Sequence, residues 1–169
     1  MTVPLLAVAA LSGTGKTTLL KKLIPIMRRK GIRCGLIKHT HHDMEIDKPG
    51  KDSYELRKAG ADQVLVASQQ RWALMTETPA QAPDLAYLAS RMDTASLDLI
   101  LIEGFKDEPV AKIMLYREAA GKPFPEQLDK YVIALACDKP RSLELPCLPL
   151  DDAERIAEFI EVWLQEQSR

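Results

Sequence analysis

The chain is short of cysteine, carries no surplus of either charge and has no long apolar run. Its three cysteines, Cys34, Cys137 and Cys147, are odd in number, widely spaced and set in apolar segments. That excludes a disulfide framework and fits reduced, buried thiols. Lys and Arg number 23 against 24 Asp and Glu, a net charge of -1. No electrostatic footprint therefore points to nucleic acid or an anionic membrane as a partner. No stretch approaches the ~20 apolar residues of a membrane span. The apolar stretch Val3 to Ala10 is short, has no basic lead, and does not read as a secretory signal. Hydrophobic residues at 46% and charged residues at 28% are ordinary for a globular protein. A cytoplasmic protein with one domain over residues 1–169 is expected.

What is present begins at residue 10. Ala10-Leu11-Ser12-Gly13-Thr14-Gly15-Lys16-Thr17 follows the apolar run Pro4 to Ala9 and precedes Thr18-Leu19-Leu20-Lys21-Lys22-Leu23. Strand, glycine turn and helix in that order build a phosphate-binding P-loop. Consecutive backbone N–H groups around the turn and the positive end of the following helix surround an anion. Lys16 supplies a mobile charge for the β- and γ-phosphates, and the Thr17 hydroxyl suits Mg²⁺. The usual pattern starts with glycine; Ala10 stands there instead, which bears on the entry to the turn more than on the site. The sequence thus points to a nucleoside triphosphate.

Strands and helices alternate downstream. The first helix ends in Arg28-Arg29-Lys30 before Gly31, and Pro25 inside it predicts a kink. Arg33–Lys38 reads as a strand, and Asp52 or Ser53 caps a short helix through Lys58 that ends at Gly60. Residues 62–67 and 72–76 read as a β-hairpin across Ser68-Gln69-Gln70-Arg71. A helix carries Leu85, Leu88, Ala89 and Met92. Leu97–Ile102, Val110–Tyr116 and Tyr131–Ala136 are strands, and an Asp151-x-x-Glu154 capping box opens the last helix. The pattern predicts a three-layer α/β domain with a mostly parallel sheet and an inserted hairpin.

A P-loop protein needs a second acidic group to hold Mg²⁺ or its water shell. Glu103 follows the apolar strand Leu97–Ile102 at its carboxyl end, where ligands of such sheets bind, with Gly104 beside it to let backbone approach the γ-phosphate. Asp98 starts the same strand, ~16 Å away at ~3.3 Å per residue, at the wrong end. All three histidines lie in Lys38-His39-Thr40-His41-His42-Asp43. Imidazoles suit zinc or nickel, but adjacent His41 and His42 diverge on most backbones and no cysteine is near. A solvated loop is one alternative. A switch-like segment meeting the γ-phosphate, Mg²⁺ or an acceptor through Lys38, His39 or Asp43 is another. For the base, Asp138 in Cys137-Asp138-Lys139-Pro140 is placed to read guanine or to form a turn; the full Asn-Lys-x-Asp guanine signature is absent.

Taken together, 10–25, Gly-Leu-Ile-Lys-His-Thr-His-His-Asp at 35–43, Asp-Lys-Pro-Gly-Lys-Asp-Ser-Tyr-Glu-Leu-Arg-Lys-Ala-Gly-Ala at 47–61, and Leu-Ile-Glu-Gly-Phe-Lys at 101–106 resemble the molybdopterin-guanine dinucleotide biosynthesis protein B (MobB) family. The resemblance covers essentially the whole chain. It implies the P-loop NTPase fold and a GTP-binding adaptor with weak intrinsic GTPase activity. It also implies service to the guanylyltransferase (MobA-type) that attaches GMP to molybdopterin, with molybdopterin or molybdoenzyme-maturation proteins as further partners. It implies a homodimer with sheets extended across the two-fold axis, for which 62–76 and 110–116 are the candidate strands. Gly13, Thr14, Gly15, Lys16, Thr17 and Thr18 would hold phosphate and Mg²⁺. Three other classes stay open: a P-loop small-molecule kinase, an ATP-dependent ligase using the 39–52 loop for a carboxylate, and a metallochaperone GTPase using the histidines.

Overall fold

The structure, a computed structural model, describes residues 2–10, 13–40, 44–78, 80–125 and 127–168. The chain divides into two compact units, 1–39 with 85–169, and 40–84. The physical reason is the core. No described residue of 44–84 is buried, so this segment builds none of its own.

In the first unit six strands form one sheet: β1 (Leu5–Ala10), β2 (Cys34–Lys38), β5 (Leu99–Glu103), β6 (Lys112–Tyr116), β7 (Val132–Cys137) and β8 (Cys147–Pro149). Their order is β2-β5-β1-β6-β7-β8, and every neighbouring pair is parallel. Strand periodicity sorts the side chains. Leu6, Val8, Leu99 and Leu101 face one side, with Leu19, Leu20, Leu23, Ile26 and Met27 of α1 (Lys16–Arg29) and Ile156 and Ile160 of α4 (Ala153–Gln167). Ala7, Ile100 and Ile102 face the other, with Leu85 and Leu88 of α3 (Leu85–Ser90). Helix, sheet and helix make the three layers expected. Arg29–Glu154 and Lys30–Glu161, each 2.7 Å, tie α1 to α4 at the surface.

Several expectations change in detail. Strand β8 is new; three residues, the last of them Pro149, give too little pattern to read. α4 is capped by Asp152, whose carboxylate accepts from the Arg155 amide at 3.1 Å; Asp151 pairs instead with Arg117 at 3.0 Å. The strand at 110–116, expected at a dimer contact, lies inside the sheet with β1 on one edge and β7 on the other. Both edges are already hydrogen-bonded, so it cannot extend a sheet into a second copy. At its start Lys112 is fully buried, donating to Asp129 (2.5 Å) and to the carbonyls of Lys106 (2.6 Å) and Glu108 (2.9 Å). Burial pushes the Cys137 thiol up to about 12 and the Cys34 thiol to about 11, so neither is a thiolate nucleophile at neutral pH.

The second unit holds α2 (Asp52–Lys58) and the antiparallel pair β3 (Gln63–Ala67) and β4 (Trp72–Thr76). Ser68 makes the turn: its hydroxyl accepts from the amides of Gln70 (3.3 Å) and Arg71 (3.2 Å). Arg57 gathers Glu45, Asp47 (2.7 Å) and Glu77 (2.9 Å). Register puts Leu65 opposite Leu74 and Ala67 opposite Trp72. Leu65, Leu74 and Trp72 therefore share one hairpin face, and all three are exposed.

Candidate functional site: a glycine turn and a strand-end carboxylate

Gly13 and Gly15 hold the turn with φ of +80° and +99°, a region that residues with a Cβ seldom adopt. Gly15 is also the N-cap of α1, so it offers no side chain to the first-turn amides, and no acidic residue stands in that turn. By contrast α4 has its Asp152 cap and Glu154 in the first turn. The positive end of α1 is thus left for an outside anion. Thr14 is buried at 4% exposure, while Lys16, Thr17 and Thr18 open the helix. Leu11 and Ser12 lie outside the described residues.

Across the turn stands Glu103. Parallel pairing of β1 with β5 sets Val8 beside Glu103 and brings the carboxylate to the mouth of the P-loop. The Thr17 hydroxyl donates to Glu103 Oε1 at 3.3 Å, and Lys38 Nζ lies 3.7 Å from Oε2. Glu103 is mostly shielded, at 12% side-chain exposure. Two oxygens at that separation fit adjacent ligand positions around Mg²⁺, where ~2.1 Å bonds put neighbouring oxygens ~3 Å apart. Sequence reading thus finds Thr17, Glu103 and Lys38 together. Asp98 takes no part: at the far end of β5 it binds Arg33 through the backbone N (2.8 Å), Nε (2.9 Å) and Nη2 (2.8 Å). Those bonds pull its carboxyl down to about 2.

His39 and Gly104 also lie at this edge. The His39 amide donates to the Glu103 carbonyl at 2.8 Å, and its ring packs on Phe105 with centroids 4.6 Å apart. Gly104 has φ +98° and Phe105 φ +51°, so the backbone turns sharply after Glu103. A Cβ on Gly104 would lie 2.8 Å from His39 Cβ. Glycine here is dictated by close approach. His41, His42 and Asp43, the other candidate ligands, lie outside the described residues; among the described residues no cluster of His, Cys, Asp or Glu could hold a metal.

Asp138 sits where the sequence puts it, just past β7, but its carboxylate is engaged. Oδ1 accepts from the Glu118 amide (2.8 Å) and Oδ2 from the Ala119 amide (3.1 Å). Those bonds hold its carboxyl below the usual carboxylate range and build the 3-10 turn Glu118–Ala120. These are the bonds of a turn-forming aspartate. Sequence reasoning missed a cleft on this flank, lined by Gly15, Thr18, Leu19, Lys22, Arg117 and Asp151. Its signal was positional: Arg117 and Asp151 follow the carboxyl ends of β6 and β8.

Comparison with known proteins decides the family. The profile of molybdopterin guanine dinucleotide synthesis protein B (MobB) matches residues 5–138. The chain belongs to the MobB family. This MobB-family chain is 64% identical over 169 residues to the molybdopterin-guanine dinucleotide biosynthesis adapter protein of Escherichia coli (strain K12), covering 98% of itself and 96% of that protein. It is 48% identical to the adapter protein of that name from Haemophilus influenzae (strain ATCC 51907 / DSM 11121 / KW20 / Rd), covering 96% of itself and 90% of the relative. Among solved structures, a crystal structure of molybdopterin-guanine biosynthesis protein B superposes with a TM-score of 0.73 at 27% identity, covering 95% of this chain and 99% of that one. The crystal structure of Bacillus subtilis MobB gives 0.73 at 25% identity, with 94% and 96% covered. The MobB fold is the P-loop NTPase arrangement that the sheet order and glycine turn describe. No described helix is long and apolar enough to cross a membrane.

Proposed function

We propose that this chain is a GTP-binding, Mg²⁺-dependent adapter in molybdopterin-guanine dinucleotide biosynthesis, acting with the guanylyltransferase that joins GMP to molybdopterin. The observation that carries the nucleotide reading is the Thr17–Glu103 contact at 3.3 Å beside a helix end with no capping side chain. The adapter role follows the two bacterial relatives, each matched over nearly its whole length. The kinase, ligase and metallochaperone alternatives draw no support from those relatives.

In this reading the amides of Gly13 to Thr18 hold the phosphates, and Lys16 neutralises the β- and γ-oxygens. Thr17 and Glu103 hold Mg²⁺, which when bound supplies charge stabilisation at the terminal phosphate. Lys38 and His39 reach the same edge. Hydrolysis is slow, because the described residues at this edge include neither an arginine finger nor a glutamine to orient water. The cytoplasm is the compartment that suits three free cysteines. The chain acts as a homodimer through the hairpin, where Leu65, Trp72 and Leu74 expose apolar surface that a second copy would cover.

The test is Lys16→Ala with calorimetry against a panel of triphosphates and Mg²⁺, then dinucleotide formation by the guanylyltransferase with and without the chain. A well-folded variant should lose GTP affinity about 100-fold or more. Unchanged affinity, or no effect of the wild-type chain on product formation, would overturn the reading.

A further inference from the structure

The site has a direction. Thr17 and Glu103 put the metal and the terminal phosphate on the β5 side of β1, in the order β2-β5-β1-β6-β7-β8. A triphosphate crossing the N-terminus of α1 then runs the other way, and its nucleoside leaves toward the carboxyl ends of β6, β7 and β8. There the cleft lined by Gly15, Thr18, Leu19, Arg117 and Asp151 opens directly beside the phosphate turn.

The carboxylates on that flank are not equivalent. Asp138 is committed to the amides of Glu118 and Ala119. Glu118 is paired with Lys139 at 2.8 Å and Arg141 at 3.5 Å. Asp152 caps α4, and Glu154 binds Arg29. Asp151 differs: it lines the cleft with two residues of the phosphate turn, and its side chain is 73% exposed. Its Oδ1 accepts one bond, from Arg117 at 3.0 Å. A carboxylate has about four acceptor sites, so this bond orients Asp151 and leaves most of its capacity open. Guanine presents two adjacent donors, N1–H and the N2 amino group, that match a carboxylate side by side. Adenine presents an acceptor at N1 and would meet repulsion there.

We propose that Asp151 is the guanine-reading carboxylate of this site, held in place by Arg117 as a positioning residue. The assignment rests on the reading that the glycine turn binds GTP. It departs from Asp138, the position that the sequence offered.

The experiment exchanges base preference. Xanthosine triphosphate carries a carbonyl where guanine carries the N2 amino group, so an amide side chain suits it. Asp151→Asn should weaken GTP·Mg²⁺ binding about tenfold or more and raise the ratio of XTP to GTP affinity by at least as much. Asp138→Asn, which disturbs the turn, should leave that ratio where the wild type has it. A merely structural loss would weaken both nucleotides alike, so an Asp151→Asn protein with an unchanged ratio overturns the assignment while GTP binding by the wild type stands. A wild-type chain that binds no GTP overturns the nucleotide reading, and this one with it.

Discussion

Replacing Gly104 by alanine tests whether the turn after Glu103 is as rigid as it looks. Two costs add. The backbone there has φ +98°, and an L side chain in left-handed geometry costs ~1–2 kcal/mol. The new Cβ would also sit 2.8 Å from His39 Cβ, 3.3 Å from its carbonyl oxygen and 3.4 Å from its nitrogen. The His39 amide is itself bonded to Glu103, so this neighbour cannot yield cheaply; overpacking of that kind costs ~1–3 kcal/mol. The sum is about 2–5 kcal/mol, or roughly 4–20 °C in melting temperature for a chain of this size. Gly35→Ala is the control. Its Cβ would come as close, 2.7 Å from Met92 Cε and 2.8 Å from Leu97 Cδ1, but these are far ends of flexible side chains and the backbone has no positive φ. Repacking and the lower chain entropy of alanine in a strand should keep that loss near 1 kcal/mol, roughly 2–4 °C. Calorimetric melts of both variants beside the wild type decide the matter. If Gly104→Ala melts no lower than Gly35→Ala, close approach at the β2–β5 edge is not what fixes glycine there.

Glu103→Gln keeps an acceptor for the Thr17 hydroxyl but removes the charge, so Mg²⁺ should support GTP binding about tenfold more weakly or worse; an unaltered Mg²⁺ titration would remove Glu103 from the metal site. Asp98 titrates at about 2, below the ~3.9 of an unfolded chain, so its bonds to Arg33 stabilise the fold above about pH 4 and fade as pH falls toward 2. The melting gap between wild type and Asp98→Asn should therefore be full at pH 7 and narrow from pH 4 downward, and a constant gap would contradict that assignment. Trp72→Lys in the exposed hairpin face should shift sedimentation from dimer toward monomer without lowering the melting point of the sheet unit; a dimer that survives would place the contact elsewhere.

The parts legible in the sequence were those where local chemistry and long-range packing agree. Gly13 and Gly15 announce the turn, and the apolar run ending at Glu103 announces a buried parallel strand with a polar tip. Parallel pairing then brings Thr17 and Glu103 together across 86 positions. Other features depend on what lies across space. Two adjacent aspartates precede α4, and Glu154 favoured the wrong one because the Arg117 guanidinium that draws Asp151 away is distant in sequence. Asp138 lies just past β7 as expected, but amides from the turn after β6 claim it, and no spacing rule reveals that. The interior position of 110–116 was hidden because sheet order is not written in any single strand.

Strand β8 ends the sheet on one flank with three residues, the last of them Pro149. Proline has no amide hydrogen to offer an incoming chain, and so short a rim gives a foreign strand little to zip onto. Crowded neighbours are thereby kept from adding ribbon after ribbon to that margin, and open-ended stacking there is blocked by the covalent structure of the polypeptide.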